Sequence, residues 1–246
     1  MAEPMEGLAA SIVSWIRARV EEAGRRGCVV GVSGGVDSAV ALALCQRAFP
    51  KDTVGVVLPC YSSPEDLADA QLVLETVGVP GYTVELTRVH DSLLEAIEGG
   101  GIEVGDERDP ARVNLKPRLR MATLYFVAAR LGYLVVGTGN ASELTVGYFT
   151  KYGDGGVDLL PLGDLVKGEV RLLARYLGLP ERIVEKEPSA GLWPGQTDEG
   201  EMGVSYAAID AYLRGGKVSP EERDRIENMR RLNYHKLKPP PVCHLK

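Results

Sequence analysis

Cysteine is sparse in this chain, and its spacing does not suit a metal knuckle. Cys28, Cys45, Cys60 and Cys243 form no CxxC pair, which argues against a structural zinc site. Cys28 and Cys45 read instead as small apolar core residues, and Cys60 follows a predicted strand. No apolar run approaches the roughly 20 residues that a bilayer-spanning helix needs. The opening stretch MAEPMEGLAASIVSW has neither a basic leader region nor a small-residue cleavage site, so the expected compartment is the cytoplasm. Positive charge is not in excess. Lys+Arg 28 against Asp+Glu 34 gives a formal net charge of −6, which argues against a broad nucleic-acid-binding surface but leaves room for a local basic pocket. Neither nucleic acid nor membrane is an expected partner. Internal repeats and low-complexity segments are absent too. With 45% hydrophobic and 25% charged residues over 246 positions, the chain has the composition of a globular protein with a sizeable core.

What is present alternates between helical and strand patterns. Leu8 to Val20 places Ile12, Trp15, Ile16 and Val20 at helical spacing. Cys28 to Val32 is a short apolar run bounded by glycines and predicts a buried strand, followed by a helix from Val36 to Ala48. Thr53 to Leu58 predicts a second strand, stopped by Pro59. Ser63-Pro64-Glu65-Asp66 is a helix start, with a cap residue, a proline in the first turn and acids where the helix dipole favours them. That helix reaches about Val77. Gly81 to Leu86 predicts a third strand and Tyr133 to Val136 a fourth. Further helices are expected near Asp91–Ile97, Asn114–Leu131, Ala141–Val146, Lys167–Leu177, Ser205–Leu213 and Pro220–Leu232. The Asn114–Leu131 helix is apolar over much of its circumference, so it is buried or forms an interface. The glycine-dense stretches Glu98–Arg112 and Ser189–Met202 read as surface loops and candidate lids. Strands alternating with helices predict an α/β fold, a parallel sheet with helices on both faces, as one domain with a helical C-terminal extension.

The first chemical signal is Gly31-Val32-Ser33-Gly34-Gly35-Val36-Asp37-Ser38, between a strand and a helix. A helix N-terminus offers unpaired N–H groups and partial positive charge to a phosphate. Gly34 and Gly35 leave room for an anion to approach the backbone, and Ser33 and Ser38 carry hydroxyl donors. Asp37 would repel a bare phosphate, so a cation such as Mg²⁺ belongs between them. The Walker pattern GxxxxGK[ST] and the dinucleotide fingerprint GxGxxG are both absent. A second loop, Thr138-Gly139-Asn140-Ala-Ser-Glu143, follows the fourth predicted strand. Ligands in open parallel sheets sit beyond the carboxyl ends of the strands, so both loops can meet one nucleotide. Glu143 is then a second carboxylate for the metal, and Arg118, Lys151 and Lys167 supply positive charge. The KYGDGG turn at 151–156 reads as backbone that approaches a ligand.

The SGGxDS loop resembles that of the N-type ATP pyrophosphatases, which cleave ATP to AMP and pyrophosphate to activate an acceptor. The segments GTGNASE at 137–143 and GYFTKYGDGGVDLLPL at 147–162 narrow the resemblance to the NAD synthetase family, over nearly the whole chain. That resemblance implies an adenine nucleotide alpha hydrolase-like, Rossmann-like fold and an ammonia-dependent ligase without a glutaminase domain. It implies that Gly31 to Ser38, Thr138, Lys167 and Ser189 hold ATP, and that Asp37 and Glu143 bind Mg²⁺. It also implies that Arg118, Lys151, Asp158, His235 and Lys236 hold deamido-NAD, with Asp158 a candidate base for ammonia, in a homodimer with substrate at its interface. Two departures from the common family pattern stand out. Glu187-Pro-Ser189-Ala-Gly191-Leu replaces EPTADL, keeping a hydroxyl and losing a carboxylate, and GTGN replaces GTDH. An RNA-modifying enzyme of the same superfamily and a non-catalytic ATP sensor are the rival readings. Neither explains YFTKYGDGGVD.

Overall fold

The structure is a computed structural model that describes residues 2–245. In chain order the elements are α1 (Ala2–Glu22), β1 (Cys28–Gly31), α2 (Val36–Ala48), β2 (Thr53–Val57), α3 (Pro64–Val77), β3 (Gly81–Thr83) and α4 (Thr87–Gly99). There follow α5 (Pro110–Val113), α6 (Leu115–Leu131), β4 (Leu134–Val136), α7 (Ala141–Val146), α8 (Lys167–Tyr176) and α9 (Glu181–Val184). The chain then forms α10 (Asp198–Met202), α11 (Tyr206–Leu213), α12 (Pro220–Asn233) and a 3₁₀ turn (Tyr234–Lys236). Among the described residues no helix is long and apolar enough to cross a membrane.

All three strand pairings are parallel, in the order β3-β2-β1-β4. Cys28 stands opposite Thr53 on one side and Leu134 on the other. Strands buried on both faces read as continuous apolar runs, and CVVG and TVGVV do so. The two-residue side-chain period splits β1 between two cores. Cys28 and Val30 join α1, α2 and α8, while Val29 joins Val54, Val56, Val135 and Ala128 on the α6 side. As expected, Cys28 and Cys45 are fully buried. Helices thus cover both faces, as predicted.

A third cluster unites Val146, Met202, Val204, Tyr206, Ile209 and Ile226, so α7, α10, α11 and α12 pack together as the helical C-terminal part. The helix α6 behaves differently from a core helix. Only Lys116, Pro117 and Ala128 among its residues are buried, and Phe126 is 69% exposed. Leu119, Leu124, Tyr125, Val127 and Leu131 are half-buried against the sheet, so the helix covers one face of the core while part of its apolar surface stays open.

Candidate active site

The carboxyl ends of β1, β2 and β4 open into a cleft of about 560 Å³. Its walls include Gly31 to Ser33, Gly35 to Ser38, Val56 to Pro59 and Val136 to Thr138. The helix α2 begins there with Gly35 as an extended N-cap and no side-chain cap bond, so the first N–H groups of the helix are available to an anion. The serines close the loop on itself. Ser33 Oγ lies 3.1 Å from Ser38 Oγ and accepts from Gly35 N at 3.2 Å, while Ser38 Oγ donates to Gly35 O at 2.9 Å.

The two loop glycines serve different purposes. Gly34 has φ +80, and a Cβ there would lie 2.7 Å from Asp69 Cβ and 2.9 Å from Ala70 N. It is therefore needed for the turn and for contact with α3, rather than for an anion as its sequence suggests. Asp69 is 1% exposed and pairs with Lys186 at 2.7 Å and Arg182 at 2.6 Å. Lys186 also pairs with Asp66 at 2.7 Å. The floor of the phosphate loop is thus fastened to the segment that leads into Glu187–Ser189.

Across the cleft, α7 and α8 deliver the charged pair. Asn140 caps α7 in a reciprocal box with Glu143, and this points the Glu143 carboxylate back toward the loop. Lys167 opens α8, where Asp210 accepts from Gly168 N at 2.8 Å. A lysine in the first turn works against the helix dipole, and this one is only 3% exposed. Its ammonium lies 2.5 Å from Asp37 Oδ2 and 3.5 Å from Glu143 Oε1. Burial pulls the lysine pKa down, but the charges of Asp37 and Glu143 overcome that and hold it above its ordinary value. Burial and the neighbouring Asp37 charge push Glu143 up. Tyr206 extends the network, with its hydroxyl 3.2 Å from Glu143 Oε1 and 2.9 Å from Asp198 Oδ2.

This cluster fits a magnesium ion. Asp37 and Glu143 bring two negative charges against the single Lys167 ammonium, and both offer the oxygen ligands that Mg²⁺ prefers. Among the described residues no group of three or more His, Cys, Asp or Glu side chains forms a metal cage. A metal at this pair would complete its shell from nucleotide phosphate and water, as Mg²⁺ commonly does.

One expected lid borders the cleft and the other does not. Glu187 to Leu192, Asp198, Glu201 and Met202 line it, whereas nothing from Glu98–Arg112 does. The bordering segment is held by Lys116, whose ammonium donates to the Leu192 carbonyl at 2.6 Å and stands 5.1 Å from the Tyr61 ring centroid. Lys116 is 8% exposed, and burial lowers its pKa.

The sequence-predicted residues divide into two groups. Gly31, Val32, Ser33, Gly35, Val36, Asp37, Ser38, Thr138, Glu143, Lys167, Ser189 and Lys236 line the cleft. Gly34, Arg118, Lys151, Asp158 and His235 do not. The Asp158 carboxylate accepts from Val135 N at 2.8 Å and from the Tyr125 hydroxyl at 3.0 Å, beside α6. It is therefore not placed to act as a base inside the cleft of one chain. Lys151 donates to the His235 carbonyl at 3.0 Å, and Lys236 donates to the carbonyls of Gly147 and Phe149 at 2.9 and 3.0 Å. The turn 151–156 is glycine-dense for packing as well. A Cβ on Gly155 would lie 2.5 Å from the Phe149 ring, and one on Gly153 3.0 Å from Pro117 Cβ.

Sequence reasoning missed Arg120, Asp154, Lys186, Asp198 and Tyr148, all of which line the cleft. Arg120 donates through Nε to the Leu58 carbonyl at 3.0 Å. Asp154 accepts from Thr150 N at 2.9 Å.

Comparison with known proteins gives a consistent picture. The sequence profile of the NAD synthase family matches residues 8–240. The NH3-dependent NAD⁺ synthetase of Carboxydothermus hydrogenoformans is 49% identical over 231 residues, covering 94% of this chain and 94% of that protein. Among solved structures, the NMN synthetase from Francisella tularensis superposes with a TM-score of 0.92 at 36% identity, over 98% of this chain and 99% of that one. The NH3-dependent NAD synthetase from Campylobacter jejuni gives a TM-score of 0.80 at 27% identity, over 98% and 99% of the two chains.

Proposed function

The chain belongs to the NAD synthase family, and from that premise we propose how its cleft carries out ammonia-dependent amide synthesis. The protein is a carbon–nitrogen ligase that converts deamido-NAD, ATP and ammonia to NAD, AMP and pyrophosphate through an adenylated intermediate, the last step of NAD biosynthesis. The observation that carries the site assignment is the meeting of the Ser33–Ser38 loop with Asp37, Glu143 and Lys167 at the carboxyl ends of β1 and β4.

In this reading the ATP phosphates lie against the N-terminus of α2 and the Ser33 and Ser38 hydroxyls. Lys167 turns from Asp37 toward a phosphate oxygen, while Thr138 and Ser189 line the nucleotide site. Asp37 and Glu143 hold Mg²⁺, which supplies charge neutralisation at the phosphates when bound. The work of the residues is positioning and electrostatic stabilisation. The acceptor carboxylate is brought to the α-phosphorus, and the activated carbonyl is kept from water by the Glu187–Leu192 wall until ammonia attacks.

Deamido-NAD lies partly outside the cleft of one chain. Arg118, Lys151, Asp158 and His235 stand apart from the cleft walls; Arg118 lies on α6 and Asp158 is bonded to its Tyr125, on the helix that carries the 69% exposed Phe126. A two-fold homodimer through α6 covers its open surface and lets the residues of each copy complete an acceptor site. The whole chain serves as one synthetase unit, expected in the cytoplasm.

A second reading concerns the acceptor alone. The TM-score of 0.92 to an NMN synthetase favours a mononucleotide acceptor, which lacks the half that would lie over α6. One product assay tests both readings. Purified protein receives ATP, Mg²⁺ and ammonium with either deamido-NAD or nicotinate mononucleotide, and chromatography follows amide, AMP and pyrophosphate. Matched formation of NAD, AMP and pyrophosphate, lost in Asp37→Ala, is the expected result. A larger kcat/KM for the mononucleotide would transfer the assignment to it. Binding of ATP without turnover of either acceptor would leave a nucleotide sensor and overturn both.

A further inference from the structure

We propose that Asn140 is a positioning residue for the metal pair, and that its side-chain amide decides which oxygen of Asp37 faces the cation. The inference rests on the assignment of Asp37 and Glu143 as the residues that hold Mg²⁺.

Asn140 is fully buried and its polar groups meet both carboxylate-bearing elements. Nδ2 donates to Asp37 Oδ1 at 2.8 Å, across 103 positions of sequence. Oδ1 accepts from Glu143 N at 3.1 Å, and the Asn140 main-chain N donates to Glu143 Oε2 at 3.1 Å. One oxygen of each carboxylate is thereby occupied. The other two, Asp37 Oδ2 and Glu143 Oε1, face the Lys167 ammonium at 2.5 and 3.5 Å. A metal that takes the place of this ammonium meets one defined oxygen from each side.

Capping alone does not explain the residue. A cap needs only an acceptor, and serine, threonine or aspartate would serve as well at the start of α7. The surplus is the amide N–H, which is neutral. A cationic donor there would compete with the metal for Asp37, and a carboxylate would repel it. Partners that orient metal-binding side chains typically contribute 10–100-fold in metal affinity. The same residue accounts for the GTGN sequence at 137–140, because the amide is what joins the loop after β4 to the loop after β1.

The test is Mn²⁺ binding, read as free Mn²⁺ by electron paramagnetic resonance with full-length protein and α,β-methylene-ATP. Asn140→Ser keeps a cap acceptor but cannot reach Asp37. It should melt close to the parent, bind Mn²⁺ about 10–100-fold more weakly, and need correspondingly more Mg²⁺ for half-maximal activity with kcat largely recovered at saturation. Asn140→His is the reciprocal variant, since its ring N–H can donate to Asp37 but it caps poorly. It should melt lower yet bind Mn²⁺ within about threefold of the parent. Parent-like Mn²⁺ affinity in Asn140→Ser would reduce Asn140 to a helix cap and overturn the proposal. If that variant does not fold, a folded Asn140→His with weak Mn²⁺ binding overturns it and near-parent binding supports it. Failure of the parent itself to bind Mn²⁺ with the nucleotide analogue would instead remove the metal assignment on which the proposal stands.

Discussion

Alanine at Gly34 and alanine at Gly35 should damage this protein in opposite ways, although the positions are adjacent. Gly34 has φ +80, so a side chain there costs about 1–2 kcal/mol for left-handed backbone. The new methyl carbon would stand 2.7 Å from Asp69 Cβ, 2.9 Å from Ala70 N and 2.9 Å from Asp66 O. Two of those atoms are backbone of α3, so relief requires the helix or the loop to shift, and such overpacking costs about 1–3 kcal/mol. The stiffer unfolded chain offsets about 0.4–1 kcal/mol. The net destabilisation is about 1–5 kcal/mol, which lowers Tm by about 2–20 °C in a chain of this size. Gly35 has φ −89, and only Ser33 Oγ, at 3.3 Å, lies within 4 Å of where a Cβ would stand. Alanine there should change stability by less than about 0.5 kcal/mol. Its methyl group, however, occupies the cleft wall where a nucleotide oxygen approaches α2, so KM for ATP should rise about tenfold, equivalent to about 1.4 kcal/mol. Thermal melts followed by circular dichroism, together with initial rates against ATP concentration, measure both effects. A Gly34→Ala protein that melts with the parent, or a Gly35→Ala protein with unchanged KM for ATP, would refute this account of the loop.

Three further outcomes follow from the geometry. Lys167→Met leaves Asp37 and Glu143 without their shared cation, so stability measured in urea should fall by about 3 kcal/mol, and kcat by about 10²–10³-fold as a phosphate contact is lost. Added Mg²⁺ should restore part of the stability but not the rate. Phe126→Asp places a charge on the open α6 surface, and if the proposed homodimer forms through that surface, sedimentation should show a smaller species than the parent with an unchanged circular dichroism spectrum. Lys116→Met removes the bond to the Leu192 carbonyl, so limited proteolysis should cut within residues 189–197 faster than in the parent. An unchanged cleavage rate would show that the contact does not restrain the segment.

Much of the fold was legible because its signals are local. Ser63-Pro64-Glu65-Asp66 starts α3 as predicted, with Ser63 Oγ accepting from Asp66 N at 3.0 Å. The limits of α2 and α7 match residue for residue. Other limits moved for physical reasons. The third strand was expected to reach Leu86, yet β3 ends at Thr83. The chain stays alongside, since Val84 N donates to Val57 O and Leu86 N to Pro59 O, but Pro59 has no N–H with which to continue the ladder. The short helices α5, α9 and α10, of four or five residues, are too brief to show a helical period.

The site was legible in its loops and less so in its side chains. Arg118 and Arg120 are two positions apart on α6, which places them on nearly opposite sides of the helix. The sequence does not say which side meets the cleft, and it is Arg120 that does. Tyr206 reaches Glu143 across 63 positions, and Asp198 enters with it. Such contacts arise from how α10 and α11 pack on α7, which no local pattern encodes. Asn140 was visible as an unusual residue, but its bond to Asp37 was not.

The fastening of Leu192 has a consequence for variation in this part of the molecule. Lys116 grips a main-chain carbonyl, and every residue type supplies one. The identity of residue 192 can therefore change without undoing the grip, and side chains facing the cleft are free to be retuned for a different acceptor. An inserted or deleted residue is another matter, because it would carry the carbonyl out of reach. This stretch should accept exchanges of sequence far more readily than changes of length.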